Sequence, residues 1–281
     1  MRQADSETTA RSKTPKKVNL PLAMAYIRQH ATPVELARLQ RALGEPAAVE
    51  EAEKQVAALQ NPDGGWPHRQ EAGLPSSLAA THHTLTWLNE LGLRQSSIAQ
   101  HALDYLLSSQ QPDGSWRESD AILALHPPPW MSPENDMANA YLTADSAYHL
   151  AVGRDPELEA VAEACNYLYQ LELEEQYPQT TWIMGALFTI VEGEDSEVAQ
   201  ATREYLLQRL DRHWDAGALA WLLNTYFGAG IAPTMPLLVK ARELLEKTQK
   251  PNGSFSSDDG DGFALDVTIQ AVRALQHAGT S

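Results

Sequence analysis

Cysteine occurs once in the 281 residues, at Cys165. No intramolecular disulfide is possible, and a reducing, cytoplasmic setting is the expected one. No stretch reaches the roughly 18 uninterrupted apolar residues of a spanning helix, and the N-terminus lacks the apolar heart of a secretory signal, so a soluble protein is expected. Strand signals are nearly absent, since no run alternates strictly over six residues between turn residues. A glycine-rich phosphate cradle and a basic cluster are both missing, which leaves a diphosphate head group without an evident binder. Positive charge is scarce as well: 21 Lys and Arg stand against 37 Asp and Glu, for a net charge of −16. An acidic body repels phosphate, so nucleic acid is not an expected partner. Five of the few cations, Arg2, Arg11, Lys13, Lys16 and Lys17, precede residue 18 and face only Asp5 and Glu7. Residues 1–17 therefore read as a disordered basic tail, able to touch an anionic membrane weakly at most.

What the chain does have is repetition. Apolar residues make up 43% and run along the whole length, enough for one large domain over residues 18–281. Three segments share one spelling: Ala58-Leu-Gln-Asn-Pro-Asp-Gly-Gly-Trp66, Ser108-Ser-Gln-Gln-Pro-Asp-Gly-Ser-Trp116 and Lys247-Thr-Gln-Lys-Pro-Asn-Gly-Ser-Phe255. Each part has a physical task. A helix ends at the Gln, Pro stops it, and Asp-Gly or Asn-Gly makes a tight turn with Gly at positive φ. The aromatic folds back onto the helix just left, and the Gln side chain bonds backbone amides at the start of the next helix or stacks on that aromatic. The motif is a structural clasp with no catalytic role.

Between the clasps the apolar spacing is helical, in Val49 to Leu59, Leu78 to Leu91, Ile98 to Leu107, Met137 to Val152, Leu158 to Leu171, Ile183 to Val191, Val198 to Leu210, Ala218 to Phe227, Leu237 to Leu245 and Phe263 to Leu275. Leu20 to Gln29 and Val34 to Leu43 offer a weaker sixth pair, which closes a ring of twelve. The second helix of each pair is the more apolar, as in Ser77 to Leu88, and the first carries a charged face, as in Glu50 to Lys54. The apolar set belongs inside and the charged set outside.

The Gln-x-Pro-Asp-Gly-Ser-Trp clasp, followed by a helix such as Asp266-Val-Thr-Ile-Gln-Ala-Val-Arg-Ala-Leu275, resembles the QW repeats of squalene cyclases and is similar to the repeats of protein prenyltransferase β subunits. The resemblance implies an all-α fold, an (α/α)6 toroid of helical hairpin repeats with inner and outer rings. It says little about reaction. Proton-initiated cyclases of this superfamily carry an Asp-x-Asp-Asp run, and of that run only Asp145 in Leu142-Thr-Ala-Asp145 matches here. The prenyltransferase zinc site pairs an Asp and a Cys one residue apart, whereas Cys165 sits in Glu163-Ala-Cys-Asn166. Neither a metal nor another cofactor is expected, and Cys165 reads as a buried structural thiol. The Cys-Gly-Glu-Gln motif of complement thioester domains, which share the architecture, is missing.

All clasps join an outer helix to the next inner one, so inner-helix N-termini gather at one end of the ring, where a central cavity opens. One connection, Gln110 to Asn135, exceeds the usual 2 to 8 residues between helices. Its prolines Pro127 to Pro129 make a stiff surface turn, or an arm that places Trp130 and Glu134 over the mouth. Asp136 reads as the N-cap of the following helix. Alignment of the inner helices puts His82, Asp145 and Asp266 at similar depth. A carboxyl in an apolar pocket is pushed up in pKa and stays protonated, which makes Asp145 the candidate acid; the competing reading is a carboxylate that merely complements the helix dipole. Asp136, Glu134 and His149 complete the candidate catalytic set, with His149 also read as a satisfied interior histidine. His82 and His83 point about 100° apart, so one lines the pore and the other packs against a neighbour. Trp87, Trp182, Trp214, Trp221, Tyr141 and Phe263 fall on inner helices or their entrances. With Trp130, His82 and Asp266 they form the candidate substrate wall, although core packing explains each ring singly.

Three function classes remain at this stage. One is a small terpenoid-cyclase-like enzyme that cyclises or isomerises an apolar isoprenoid by protonation. A second is a non-catalytic module that binds a lipid or another protein. The third is a carbohydrate-active (α/α)6 enzyme using Glu134, Asp136 and Asp215, against which the clasp spelling argues.

Overall fold

The structure, a computed structural model, describes residues 18–211, 213–258 and 260–279. The expected basic tail of residues 1–17 lies outside them. Among the described residues there are thirteen α-helices: α1 (Leu20–His30), α2 (Pro33–Ala42), α3 (Val49–Ala57), α4 (Leu78–Leu91), α5 (Ser97–Ser109), α6 (Asp120–Leu123), α7 (Asp136–Gly153), α8 (Glu159–Leu168), α9 (Pro178–Glu192), α10 (Glu197–Arg209), α11 (Ala216–Gly228), α12 (Pro236–Leu245) and α13 (Ala264–Gly279). Twelve match the expected segments, and the short α6 is an addition inside the long connection. The only strand pairing described is a two-residue antiparallel ladder, Trp66–Pro67 against Ser76–Ser77.

Each inner helix packs on the next in the order α2, α4, α7, α9, α11 and α13, and α13 packs back on α2. That closes a ring of six. The outer helices α1, α3, α5, α8, α10 and α12 lie against it, each touching at least one inner helix. Local chemistry sets the ends. Thr32 and Glu35 form a capping box on α2, Ser77 Oγ accepts from the Ala80 amide on α4, and Asp215 Oδ1 accepts from the Ala218 amide on α11. Helix α4 stops at Gly92, whose φ of 79° is the left-handed cap that glycine takes without strain.

The clasps hold the rings together in one repeated pattern. Gln60 Nε2 donates to its own turn at Gly64 O and to Ile98 O on α5; Gln110 Nε2 donates to Gly114 O and to Ala160 O on α8. Gln249 Nε2 donates to Gly253 O and to Asn19 O, and the Asn19 amide donates back to Gln249 Oε1. The third clasp thus ties the last hairpin of the ring to the first. Except at Asn19, where both kinds of bond form, the bonds run to carbonyls, whereas the sequence suggests amides, because the side-chain NH2 faces the next outer helix. Trp66 and Trp116 are fully buried, and their indole N–H groups donate to Val56 O and Leu106 O on the helix just left. Burial of each such ring stabilises by roughly 2–3 kcal/mol. The three aromatic backbone amides donate to Thr81, Thr143 and Thr268 on the inner helices α4, α7 and α13. Gly64 shows why the turn needs glycine: φ is 94°, and a Cβ there would lie 2.3 Å from His101 O on the neighbouring outer helix.

No described helix is long and apolar enough to cross a membrane. Cys165 is buried on α8, and burial pushes its thiol up to about 12.

Candidate functional site

Four of the six inner helices carry a distinctive side chain at their sixth residue: Arg38 on α2, His83 on α4, Tyr141 on α7 and Trp221 on α11. Trp182, the fifth residue of α9, and Asp266, the third of α13, join them. At 1.5 Å per residue the four sixth residues lie roughly 8 Å below the N-termini of their helices. One side of the layer is aromatic. Trp221 meets Tyr141 edge-on at 6.1 Å and Trp182 at 5.4 Å, and Trp182 meets Trp214 at 5.9 Å.

The opposite side is charged. Arg38 is 1% exposed; its Nε donates to Glu90, and Nη1 lies 2.7 Å from Asp266 Oδ1. Arg273 reaches Glu90 at 3.8 Å, and the Arg38 guanidinium stands 5.0 Å from the Trp87 ring centre. Gln270 Nε2 donates to Asp266 Oδ2 at 2.7 Å. The Trp87 indole N–H is near enough to favour the ionised Asp266 without the alignment of a full hydrogen bond. Burial pushes the Asp266 carboxyl up, but Arg38, His83 and these neighbours outweigh it and hold it below the usual range. The candidate wall read from the sequence holds no arginine, and these ion pairs correct it. Arginine was absent from that reading because a lone apolar-face Arg looks like a solvated one until its two carboxylates arrive from α4 and α13.

Asp145 sits one turn below Tyr141 and is 5% exposed. Tyr141 Oη donates to Asp145 Oδ2 at 3.4 Å, His82 Nδ1 lies 3.2 Å from the same oxygen, and His149 Nε2 lies 3.6 Å from Oδ1. The two imidazoles stack at 5.5 Å. Burial alone pushes the Asp145 carboxyl up, as the sequence reading supposes. The charge and hydrogen bond of His82, then His149 and the tyrosine hydroxyl, outweigh it, and the carboxyl is held below its ordinary value. The expected raised pKa is therefore corrected, because the pocket around Asp145 is polar on its His side. Burial holds the His149 imidazole down at about 4 and keeps the Tyr141 hydroxyl protonated far above its usual range. His82 Nε2 also pairs with Ser146 Oγ at 2.8 Å. The Asp145, His82, Ser146 connection has the order of a hydrolytic triad, yet Ser146 is fully buried within α7 and offers no surface to a substrate.

The two adjacent histidines divide as the helical step requires. His82 is 2% exposed between α4 and α7, behind the wall rather than on it, which corrects its place in the candidate substrate set. His83 is exposed, and yet burial among protein groups lowers its pKa. On an inner helix flanked by two inner neighbours, an exposed side chain at this depth faces the space that the ring encloses.

The rim loop is an ordered arm. Glu118, 1% exposed, accepts from Ser77 Oγ at 2.6 Å and from the Leu78 and Ala79 amides at 3.0 Å each, so it pins the loop to the N-terminus of α4. Asn135, not Asp136, caps α7, accepting from the Met137 and Ala138 amides; Asp136 is the first helical residue. Asn135 Nδ2 donates to Pro129 O and Tyr177 Oη. Trp130, Glu134, Asp136 and Phe263 are exposed and make none of the ring contacts that join the aromatic wall. Asp215 is engaged by the Ala218 and Asp258 amides as a cap. Below the site an open recess of about 320 Å³, solvent included, is lined by Leu85, Arg94, Leu103, Tyr148, His149 and Gly153. Sequence reasoning missed Arg38, Glu90, Glu118 and Ser146, and it left open which of His82 and His83 faces inward. Counting inward from each inner-helix start, rather than back from its end, brings Arg38 and His83 into line with Tyr141 and Trp221.

The fold is shared with solved structures. The apo structure of type II terpene cyclase MstE from Scytonema matches with a TM-score of 0.64 over 93% of this chain and 97% of that one, at 16% identity. A variant of that enzyme in complex with geranylgeranyl dihydroxybenzoate, its substrate, gives 0.64 over 93% and 96%, also at 16% identity. A protein from Actinoplanes gives 0.59 over 88% and 90%, at 17% identity. No family model and no curated protein matches the chain. At this identity the likeness is one of fold.

Proposed function

We propose that the chain is a small terpenoid-cyclase-like enzyme that protonates an apolar isoprenoid held against a wall of Tyr141 and Trp221, which the buried Trp182 backs. The observation that carries this reading is the buried Asp145, set beneath Tyr141 and backed by two histidines. In the reaction the O–H bond of protonated Asp145 breaks while an alkene π pair forms a C–H bond, leaving a carbocation on the substrate and a carboxylate on Asp145. The cation closes a ring or shifts, and loses a proton to a base or to water. The facing rings stabilise positive charge along the way. Depression of the Asp145 pKa makes its protonated form a stronger acid, and makes that form scarcer at neutral pH. The expected rate therefore rises as pH falls towards the low Asp145 pKa, until unfolding intervenes.

The test is incubation with squalene, farnesol and farnesyl diphosphate, followed by product analysis of the wild type and Asp145→Asn. Loss of at least about 100-fold in turnover is expected for the variant; undiminished turnover removes Asp145 as the acid. One observation favours a second reading, a lipid-binding module without catalysis: the histidines hold Asp145 mainly ionised. Extraction of a bound lipid from protein that turns over none of the three substrates supports that alternative.

A further inference from the structure

The hollow has two unlike sides, and the charged side has a direction. Arg38 is inaccessible, and Glu90 and Asp266 both neutralise it. With Arg273 on Glu90, that wall holds two cations and two anions and offers no net positive field. What a ligand meets there is different: the Asp266 side chain, 19% exposed, and the exposed His83 ring. Ionised Asp266 only accepts hydrogen bonds. His83 makes no hydrogen bond among the described residues. Its ring lies 4.7 Å from that of Trp87, and its lowered pKa leaves it neutral, with one donor and one acceptor unfilled.

We infer that His83, with Asp266 behind it, binds the polar end of an isoprenoid ligand, and that this end is an uncharged hydroxyl. A hydroxyl donates to the acceptor nitrogen of the His83 imidazole, so it fills that vacancy with the one bond an ether cannot make. A diphosphate or carboxylate brings a second anion against Asp266, while the partly exposed Arg273 is paired with Glu90 and lies seven residues further along α13, about 10 Å away, and an ether lacks the donor. The inference rests on the isoprenoid reading of the hollow. It adds the chemistry of the end group.

The experiment is quenching of the tryptophan fluorescence of the full chain by farnesol, farnesyl methyl ether and farnesyl diphosphate. One hydrogen bond in an enclosed site corresponds to about tenfold, so farnesol is expected to bind about tenfold tighter than either of the others. In His83→Phe the preference over the ether disappears while ether binding persists; in His83→Gln, which keeps a donor and an acceptor, the preference remains. Circular dichroism melts of both variants establish that they fold. Tighter binding of the diphosphate, equal binding of all three, or an unchanged preference in His83→Phe overturns the end-group inference alone. Binding of none of the three overturns the isoprenoid reading as well.

Discussion

His149 gives the sharpest single-residue test, because its environment fixes a sign. Burial holds its folded pKa at about 4, against about 6.5 for an exposed histidine in the unfolded chain. Between these values the unfolded chain binds a proton at this position that the folded chain refuses. Stability is thus lost as pH falls from about 6.5, by up to roughly 3 kcal/mol at pH 4 for this residue, and then levels off. His83 and His277 are shifted downward too and add to the slope, whereas the depressed Asp145 costs stability only at still lower pH, below the unfolded carboxyl value near 4. Urea midpoints at pH 7 and pH 4.5 are expected to differ less in His149→Phe than in the wild type. An identical difference in both proteins removes the assigned burial effect. In the sequence Asp145 is visible as a carboxylate in an apolar helix, with His149 one turn further along the same helix, but nothing there signals that His82 comes to it, since α4 and α7 meet only in the fold. Equally, adjacent His82 and His83 announce two directions without saying which is inward.

At the scale of elements, the twelve ring helices were legible because a 3.6-residue apolar period survives in each, down to Leu78 and Leu91 as the ends of α4, whereas the four-residue α6 is too short to show one. The misassigned cap of α7 has a local cause: Asn135 and Asp136 are both good caps, and the turn through Pro129 selects the Asn by taking a bond from its Nδ2. Glu118 was illegible for the opposite reason, as nothing in Arg117-Glu118-Ser119 marks an acid destined for the N-terminus of a helix 40 residues earlier. Its carboxylate satisfies one hydroxyl and two amides in a buried place. Glu118→Ala leaves those three donors unpaired and is expected to cost about 3 kcal/mol; Glu118→Gln, which keeps one acceptor oxygen but not the charge, costs about half as much. Urea unfolding measures both. Equal, negligible losses remove the pin, and with it the account of why the long loop is ordered.

The whole ring depends on a closure that joins its first and last hairpins, made by Gln249 with Asn19 outside and by Arg38 with Asp266 and Glu90 inside. Six hairpins in the sequence imply a closed ring, but the polar seam was beyond reach because its three members sit on α2, α4 and α13. Removing one member of such a network leaves an uncompensated buried charge, which is worth about 3–5 kcal/mol, whereas the intact network is worth little more than apolar packing of the same volume. Arg38→Met is therefore expected to destabilise by about 3–5 kcal/mol on its own. In a background where Glu90 is already Gln, one of the two carboxylates left unpaired by the loss of Arg38 is uncharged, and the same substitution costs at least about 1 kcal/mol less. A double-mutant cycle by chemical denaturation reads that coupling directly. Additivity within about 0.5 kcal/mol means that Arg38 stabilises only by filling space, and that the seam is closed by the apolar contacts of α13 on α2 rather than by charge.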